Sequence, residues 1–514
     1  MKNSEKITDP SKITDSEKIT DPAKNTDLAA HSQVEIHEIG IVESVRKFIV
    51  FASGIPSCVN GQIVDFENGS RGVVMGFKED YVQILVISMG GEIRNGDKIY
   101  NRAEPLSLPV GEGFLGRIVN GICEPVDEKG PIKADAQFPV FFEAPGIMDR
   151  SPVEKTLETG TMAIDGGIPV GLGQRQLLIG DRLTGKTTVA VDAILNQKNT
   201  GVICIYCCIG KPYASLLRVV QRLNEQGALP YTIVVSGIAP SPVAEQYLAP
   251  YTAAMLGEYF MQAGRDVLVV FDDLSKHAWV YRQISLLLER APGREAYPGD
   301  IFYSHSQLVE RAGCMKPELK GGSMTFLPIV EILQGDVTGY ISTNLISMTD
   351  GQIYFNAGLF NKGVRPAVDF GLSVSRIGSK AQWPAMREVS KSLRISYLHY
   401  QELLQMSQIR TSGLSREAEA GLKRGAALTS VLSQDRHVPQ TVEGEIFILF
   451  ALNRGLLDSL TPELIKKFKT EFFPFAVSKA PELVQSLRKE KKLTWEMKGK
   501  IEQKLKEYFS QIQV

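Results

Sequence analysis

The sequence has no apolar run long enough to cross a membrane. A spanning helix needs about 18 to 20 consecutive apolar residues, whereas the run from Ile446 to Leu452 has the length of a buried core segment. The first residues also lack the apolar segment of a secretory signal. With 43% apolar and 22% charged residues, the composition is that of an ordinary soluble globular protein.

The chain also lacks a basic surplus and has few cysteines. Its 57 Lys and Arg nearly balance its 58 Asp and Glu, giving a net charge of -1. Proteins that act mainly on nucleic acid usually carry excess positive charge, so we expect no nucleic-acid partner. Of the 6 cysteines, Cys204, Cys207 and Cys208 lie in one apolar run without the paired spacing of a zinc site. We therefore predict buried thiols there.

Low-complexity and β-rich segments occupy the N-terminal part. Residues 1–33 repeat Lys-Ile-Thr-Asp and contain Pro10 and Pro22. They have too few apolar groups to bury a face, which predicts a disordered tail, or else a segment that folds on a partner. Residues 34–106 hold short β-type runs, and their Asn68-Gly69 and Asn95-Gly96 pairs predict hairpin turns. Several such strands in a short segment predict a small closed barrel.

The pattern of apolar residues changes again near residue 390. Over residues 107–390, apolar strands alternate with helical patterns, which predicts a parallel sheet covered by helices. Over residues 391–514 the strand signals fade, and apolar residues recur at helical spacing, as in 395–406 and 443–457. A chain of 514 residues is too long for one hydrophobic core. We predict a multidomain protein that ends in a helical domain.

A complete phosphate-binding loop lies between a short apolar strand and a helical pattern. Residues 180–187 read Gly-Asp-Arg-Leu-Thr-Gly-Lys-Thr, which matches the P-loop pattern in its expected strand–loop–helix context. Its glycines allow backbone N–H groups to point at phosphate oxygens, and the helix N-terminus adds partial positive charge. Lys186 should reach the β- and γ-phosphates, and the Thr187 hydroxyl should bind Mg²⁺.

A second apolar strand ends in a pair of carboxylates. Residues 267–271 are apolar and precede Asp272-Asp273. A carboxylate at this edge of a sheet typically contacts the Mg²⁺ shell in P-loop proteins. By itself such a pair is equally well explained as a helix cap. About 80 residues after a P-loop, it predicts that Asp272 completes the magnesium site.

One expected catalytic group is missing. Multi-stranded P-loop ATPases usually orient the attacking water with a carboxylate, which should follow the strand next to the P-loop strand. Here the strand over residues 202–209 ends in Gly210-Lys211-Pro212. An ammonium near triphosphate stays protonated and cannot act as a base. The sequence predicts a site that binds a nucleotide without hydrolysing it, with Lys211 available to hold the γ-phosphate.

The chain resembles the alpha subunit of F-type ATP synthases from about Gly40 to its helical end. The stretches that carry the resemblance are 110–113 with 115–117, 158–160 with 163–165, 180–187, 272–276, 281–283, 292–296, 349–352 and 373–376. Their order and length are specific, and the Asp181-Arg182-x-Thr184 loop favours alpha over beta. The implied fold is an N-terminal β-barrel, a central α/β RecA-like P-loop nucleotide-binding domain and a C-terminal α-helical domain.

The resemblance implies a ring in which alpha and beta subunits alternate around a central gamma stalk, with a peripheral stalk and a membrane-bound, ion-conducting sector. Alpha then holds ATP or ADP with Mg²⁺ in a non-catalytic site. It lends Arg376 in trans to the catalytic site on beta, with Ser347 nearby. The implied location is the cytoplasmic face of a bacterial inner membrane, and the transported ion is H⁺ or Na⁺.

The predicted nucleotide-binding residues come from the P-loop, from the strand that ends in Asp272, and from positions that match the adenine site of the family. They are Asp181, Arg182, Leu183, Thr184, Gly185, Lys186, Thr187, Thr188, Asp272, Phe360, Arg365, Pro366 and Gln434. Among them, Thr187 and Asp272 are the predicted metal ligands.

The sequence departs from the family at several positions. Family members usually have glutamine at Lys211, at Leu183 and at Arg436, and residues 313–323 are shorter than usual. The N-terminal helix that docks the peripheral stalk is replaced by the Lys-Ile-Thr-Asp repeats, which puts ordinary stator attachment in question. These differences suggest a divergent second copy of the subunit, as in alternative F-type complexes, some of which pump sodium.

Two other functions share this P-loop core. A self-sufficient catalytic hexamer, as in secretion-system export ATPases, would need a carboxylate where Lys211 lies. An RNA translocase like the Rho terminator would need a barrel with exposed aromatic and basic residues, and the segment 34–106 has little of either.

Overall fold

A six-stranded closed barrel begins the part of the chain that the structure describes. The computed structural model describes residues 38–409 and 415–511, so the predicted tail over 1–33 lies outside the described residues. The barrel strands are β1 (Glu38–Arg46), β2 (Ile49–Ser53), β3 (Gln62–Phe66), β4 (Arg71–Lys78), β5 (Tyr81–Ser88) and β6 (Lys98–Pro105). Their order is β1-β2-β5-β4-β3-β6, and antiparallel pairing of β1 with β6 closes the barrel.

Only one of the two predicted Asn-Gly hairpins forms. Asn68-Gly69 connects β3 to β4, which pair antiparallel, so this prediction is confirmed. The prediction for Asn95-Gly96 is wrong, because β5 and β6 on either side of it do not pair with each other. The Gly96 N–H instead donates to the Val42 carbonyl oxygen at 2.8 Å. The turn therefore directs β6 across the barrel end to its partners β1 and β3.

The central domain is built on a nine-stranded, largely parallel sheet. Its strands are β8 (Ile118–Asn120), β10 (Leu177–Asp181), β11 (Ile203–Ile209), β12 (Thr232–Gly237), β13 (Asp266–Asp272), β14 (Gly313–Cys314), β15 (Ser323–Ile332), β16 (Gly351–Phe355) and β17 (Val374–Ser375). The order is β17-β16-β10-β15-β13-β11-β12-β8, with β14 paired to β15. A separate two-stranded sheet pairs β7 (Ser107–Val110) with β9 (Ala136–Pro139).

Helices cover both faces of this sheet, and strand β11 shows how the sequence fills both cores. Successive side chains of a strand point to opposite faces. Cys204, Tyr206 and Cys208 accordingly pack in one core and Ile205 and Cys207 in the other. All five side chains are at most 1% exposed, so the predicted burial of the three thiols is confirmed. A strand buried on both faces explains the continuous apolar run.

The helices of the central domain precede those of the C-terminal domain. The first group is α1 (Met162–Gly167), α2 (Lys186–Leu195), α3 (Tyr213–Glu225), α4 (Val243–Gln262), α5 (Leu274–Leu287), α6 (Ile301–Val309), α7 (Tyr340–Met348), α8 (Ala357–Asn361) and α9 (Pro384–Ser390). The second group is α10 (Leu393–Ile409), α11 (Arg416–Leu432), α12 (Val442–Asn453), α13 (Pro462–Lys479), α14 (Pro481–Glu490) and α15 (Trp495–Gln511).

The C-terminal domain is helical throughout its described residues, as predicted. In α15 the buried residues are Met497, Ile501, Leu505 and Tyr508, which recur at the three- and four-residue spacing of one helix face. The Thr441 hydroxyl accepts a hydrogen bond from the Gly444 N–H and caps α12. The multidomain fold of barrel, P-loop sheet and helical domain is thus confirmed, while the boundaries at 106 and 390 stay predictions.

Within the described ranges, no helix combines the length and the apolarity that a membrane crossing demands.

Candidate functional site

The phosphate-binding loop connects β10 to α2 at the carboxyl edge of the sheet. Gly185 has a φ of 100° and forms the N-terminal cap of α2, a conformation that residues with a Cβ rarely adopt. A Cβ at Gly180 would lie 2.4 Å from the Phe355 carbonyl oxygen, so only glycine fits there. The loop can therefore wrap tightly before α2, whose N-terminal N–H groups are suited to phosphate.

The Lys186 side chain is buried within the phosphate-binding loop. It is 5% exposed, and its Nζ donates to the carbonyl oxygens of Gly180 and Asp181 at 2.7 and 2.6 Å. Burial lowers the pKa of Lys186 to about 8, because the charged form loses solvation. An ammonium group has three donors, which leaves one for a phosphate oxygen.

Asp272, at the end of β13, is the centre of a buried polar cluster. Its carboxylate accepts from the Thr187 hydroxyl at 2.9 Å and from the Tyr206 hydroxyl at 2.7 Å. The Lys211 ammonium pairs with the other Asp272 oxygen and also lies 3.1 Å from the Thr187 Oγ1. Asp272 itself is 0% exposed. Both of its oxygens are thus engaged by side chains of this chain.

Lys211 follows β11, and the position of β11 in the sheet differs from the prediction. The prediction that the strand preceding Lys211 lies next to the P-loop strand is wrong. β10 pairs with β15 and β16, and β15 and β13 separate it from β11. The later strand β15 enters between β10 and β13, which moves β11 outward. Lys211 still reaches the site because its long side chain extends back over the end of β13.

Neighbouring carboxylates keep the Lys211 ammonium charged. Burial by itself would lower the pKa of Lys211, but the charges of Asp272 and Asp273 outweigh it and raise that pKa above its usual value. Asp273 accepts from the Lys276 N–H at 2.8 Å and caps α5. Burial, followed by the charge of Asp272, raises the pKa of Asp273 to about 7. A cation therefore lies where a general base was expected.

A cavity of about 870 Å³ opens above the loop, within the size range of small-molecule sites. Several predicted binding residues line it together, namely Leu183, Thr184, Gly185, Lys186, Thr187, Thr188, Phe360, Arg365, Pro366 and Gln434. Lys211 and Arg436, both noted as departures from the family, also line it. Residues far apart in the sequence thus converge on one concave site.

Phe360, Arg365 and Gln434 line the cavity from segments outside the P-loop. The Arg365 guanidinium lies 4.8 Å from the centre of the Phe360 ring, a cation–π contact. Gln434 is fixed by its side-chain NH₂, which donates to the carbonyl oxygens of Gly160 and Val438 at 2.7 and 2.8 Å. Its backbone N–H donates to the Arg365 carbonyl oxygen at 2.7 Å, which ties the two cavity walls together.

Three of the predicted binding residues do not line the cavity. Asp181 accepts from the Gly335 N–H at 3.0 Å, and Arg182 lies 3.5 Å from Glu331 as an ion pair. Asp272 lies beneath the cavity floor and meets it through Thr187 and Lys211. Asp181 and Arg182 therefore fix the shape of the loop in this structure.

Arg376 and Ser347 lie apart from this cavity. Arg376 follows the edge strand β17 and is exposed, and its backbone N–H donates to the Asp350 carbonyl oxygen at 2.8 Å. Ser347 is also exposed, near the end of α7, and its hydroxyl donates to the Asn344 carbonyl oxygen at 2.6 Å. The connection between α7 and β16 brings both residues to one end of the sheet.

Sequence reasoning missed two residues of the site. Tyr206 donates to Asp272 from within the apolar run of β11, where nothing in the pattern separates it from the core residues. Glu331 lines the cavity from the end of β15. Its signal was available, because a carboxylate at the end of a long apolar strand resembles the Asp272 pattern.

The fold and the cavity define a P-loop nucleotide-binding protein that also has a β-barrel and a helical domain. Comparison with family models agrees along most of the chain. The ATP synthase alpha/beta family models match residues 36–102 as the beta-barrel domain, 160–375 as the nucleotide-binding domain and 382–508 as the C terminal domain. The chain belongs to the ATP synthase alpha/beta family. It is a nucleotide-binding subunit of that type, and the family implies a hexamer formed with other subunits.

Proposed function

We propose that this chain is the non-catalytic, alpha-type subunit of a rotary F-type ATP synthase. It binds ATP or ADP in its own cavity and takes part in catalysis at the neighbouring beta subunit. The observation that carries this proposal is Lys211, which follows β11 and whose ammonium pairs with Asp272 at the end of β13. A catalytic site needs a base near the γ-phosphate, and a cation held by a buried carboxylate cannot accept a proton.

The proposed contribution to the partner is Arg376. This arginine is exposed beside the edge strand β17 and makes no ion pair with any residue in 38–409 or 415–511. The closest acid along the backbone, Asp350, is held by Arg175 in a two-point contact of 2.8 and 3.1 Å. The Arg376 guanidinium is therefore free to stabilise charge on a phosphate bound by another subunit, with Ser347 beside it.

The proposed assembly follows from the family. Alpha-type chains alternate with beta-type chains around a gamma stalk, a peripheral stalk holds the ring, and a membrane sector moves H⁺ or Na⁺. In a bacterium the complex would lie on the cytoplasmic face of the inner membrane. The chain described here would then be held at the membrane by its partners.

Magnesium is the cofactor that the nucleotide would bring, with Thr187 and Asp272 as its predicted ligands. Their oxygen atoms are the donor type that Mg²⁺ prefers. In this structure, however, Thr187 and Asp272 contact each other and both contact the Lys211 ammonium. The donors are of the right chemistry, but their arrangement does not fit a divalent cation while Lys211 keeps its place.

The proposal is tested on the purified full-length chain by measuring bound nucleotide and ATP turnover in the same sample. We expect ATP to bind with negligible turnover. Turnover should appear when a beta-type partner is added and the hexamer assembles. Vigorous turnover by the chain alone would contradict the proposal and favour a self-sufficient catalytic hexamer.

A further inference from the structure

We propose that the Lys211 ammonium takes the place of the divalent cation, so that this chain binds a nucleoside triphosphate without requiring Mg²⁺. The inference rests on the proposed function, namely that the cavity above the P-loop binds nucleotide. It concerns which cation accompanies the phosphates.

The position of Lys211 Nζ is the first step of the argument. In P-loop proteins Mg²⁺ is held by the loop Ser or Thr hydroxyl and by the acid of the second strand, which here are Thr187 and Asp272. Lys211 Nζ contacts both, at 3.1 Å from Thr187 Oγ1 and in an ion pair with Asp272. The ammonium thus occupies the space between the two groups that a bound cation would bridge.

The second step is that the buried cluster is complete as it stands. One Asp272 oxygen accepts from Thr187 and Tyr206, and the other accepts from Lys211. A divalent cation that contacted both Thr187 and Asp272 would have to displace Lys211, which contacts both. The displaced ammonium would stay within a side chain's length of that cation, because the backbone of Lys211 is hydrogen-bonded in place. The Gly210 N–H donates to the Gly237 carbonyl oxygen at 2.7 Å, and the Lys211 carbonyl accepts from the Ala239 N–H at 2.9 Å.

The third step concerns what the ammonium offers a ligand. It has three donors, and Thr187 and Asp272 use two of them. Lys211 also lines the cavity, so the third donor is available to a phosphate oxygen. One side chain can thus neutralise Asp272 and bind phosphate, as the metal does in related sites.

The charge of the cavity agrees with a ligand that arrives without metal. The cationic side chains that line it are Lys186, Lys211, Arg365 and Arg436. Free triphosphate is more negative than its magnesium complex, and it therefore gains more from these cations. The acids that line the same cavity are Asp192, Glu331 and Asp435, and they contact His437, Arg182 and Lys466 respectively.

The test compares ATP binding by the full-length wild-type chain in excess EDTA and in excess Mg²⁺, measured by isothermal titration calorimetry. We expect the two dissociation constants to differ by less than about threefold. A wild-type chain that binds ATP at least about tenfold more weakly in EDTA would overturn the inference but leave the proposed nucleotide site intact. Failure to bind ATP in either condition would overturn both.

A variant shows whether Lys211 is responsible. Lys211→Gln keeps a polar group but loses the charge. It should bind ATP about tenfold or more weakly in EDTA, the effect of one charge-assisted hydrogen bond, and Mg²⁺ should restore binding. The matched control is Lys198→Gln, which alters an exposed lysine beyond the end of α2 and should behave as wild type. If Lys211→Gln binds equally well with and without Mg²⁺, the inference fails. The wild-type comparison stands even if this variant does not fold.

Discussion

At the scale of single residues, the two lysines of the site are held in place before any ligand arrives. Lys186 is fixed by the carbonyl oxygens of its own loop, and Lys211 is fixed by Asp272 and Thr187. Side chains that are already ordered lose less conformational entropy on binding. The site is therefore preorganised for phosphate, although the two lysines follow different strands of the sheet, β10 and β11.

Replacing Lys186 should empty the cavity. In Lys186→Ala the phosphates lose charge-assisted hydrogen bonds, and we expect ATP affinity to fall roughly ten- to a hundredfold. The measurement is equilibrium dialysis of labelled ATP against the full-length chain, with Lys198→Gln as the exposed-lysine control. An unchanged dissociation constant for Lys186→Ala would mean that nucleotide binds somewhere other than the P-loop cavity.

The sequence predicted the loop residues better than their neighbours. The Gly-rich pattern specifies backbone geometry locally, so Gly185, Lys186 and Thr187 were found without knowledge of the fold. Tyr206 was not found, because its contact with Asp272 depends on the pairing of β11 with β13, which sets Cys208 beside Asp272. A tyrosine inside an apolar strand carries no signal of that register.

At the scale of elements, local sequence patterns predict strands of the sheet but not the order in which they pair. The strands β10, β11 and β13 were predicted as apolar runs, and the parallel sheet follows from alternation with helices. The order of the strands was not predictable, because β15 is inserted between β10 and β13 by tertiary packing rather than by any local pattern. Local turn chemistry failed in the same way at Asn95-Gly96, where a good hairpin sequence connects strands that belong to different pairs.

Helix α12 contains a buried glutamate whose pKa is raised by its surroundings. Every residue from Val442 to Leu452 is buried, including Glu445, neither of whose carboxylate oxygens has a hydrogen-bond partner among the described residues. Burial, with the charges of Asp165 and Glu158 acting in the same direction and Lys469 opposing, raises the pKa of Glu445 well above its usual value. Burial also raises the pKa of Asp165 to about 7, against several hydrogen bonds that lower it.

Because the folded chain raises the pKa values of Glu445 and Asp165, the contribution of these two groups to stability falls as pH rises. The folded chain keeps the Glu445 proton, whereas the unfolded chain releases it near a pKa of about 4.3. The contribution to stability is therefore full below that value and is lost as pH rises towards the folded pKa. Glu445→Gln imitates the protonated acid, so its urea midpoint should exceed that of wild type by less at pH 5 than at pH 8.

The control for this comparison is Glu402→Gln, which removes an exposed carboxylate from α10. It should show no difference from wild type that depends on pH. If Glu445→Gln changed the midpoint equally at pH 5 and pH 8, Glu445 would not be the group that keeps its proton in the folded chain.

At the scale of the whole molecule, the chain presents a nucleotide cavity and, apart from it, an exposed arginine. The central sheet and the segment around Gln434 both line the cavity. Arg376 has no such enclosure, and the neighbouring acid Asp350 is occupied by Arg175. An exposed guanidinium without an ion-pair partner among residues 38–409 and 415–511, in a family that forms hexamers, supports the proposed role of Arg376 at the neighbouring subunit.

If Arg376 acts at the neighbouring subunit, its loss should reduce turnover of the hexamer without changing ATP binding by this chain. In Arg376→Ala, the chain's own cavity is untouched, so its ATP affinity should equal that of wild type. Turnover of the hexamer assembled with a beta-type partner should fall about 10³-fold or more, as it does when other arginine fingers supplied in trans are removed. Arg218→Ala, which removes an exposed arginine on α3, is the matched control, and size-exclusion chromatography verifies assembly. A fall of only a few fold in fully assembled hexamers would show that Arg376 does not reach the reacting phosphate, because a finger that stabilises the transition state cannot be lost at so small a cost in rate.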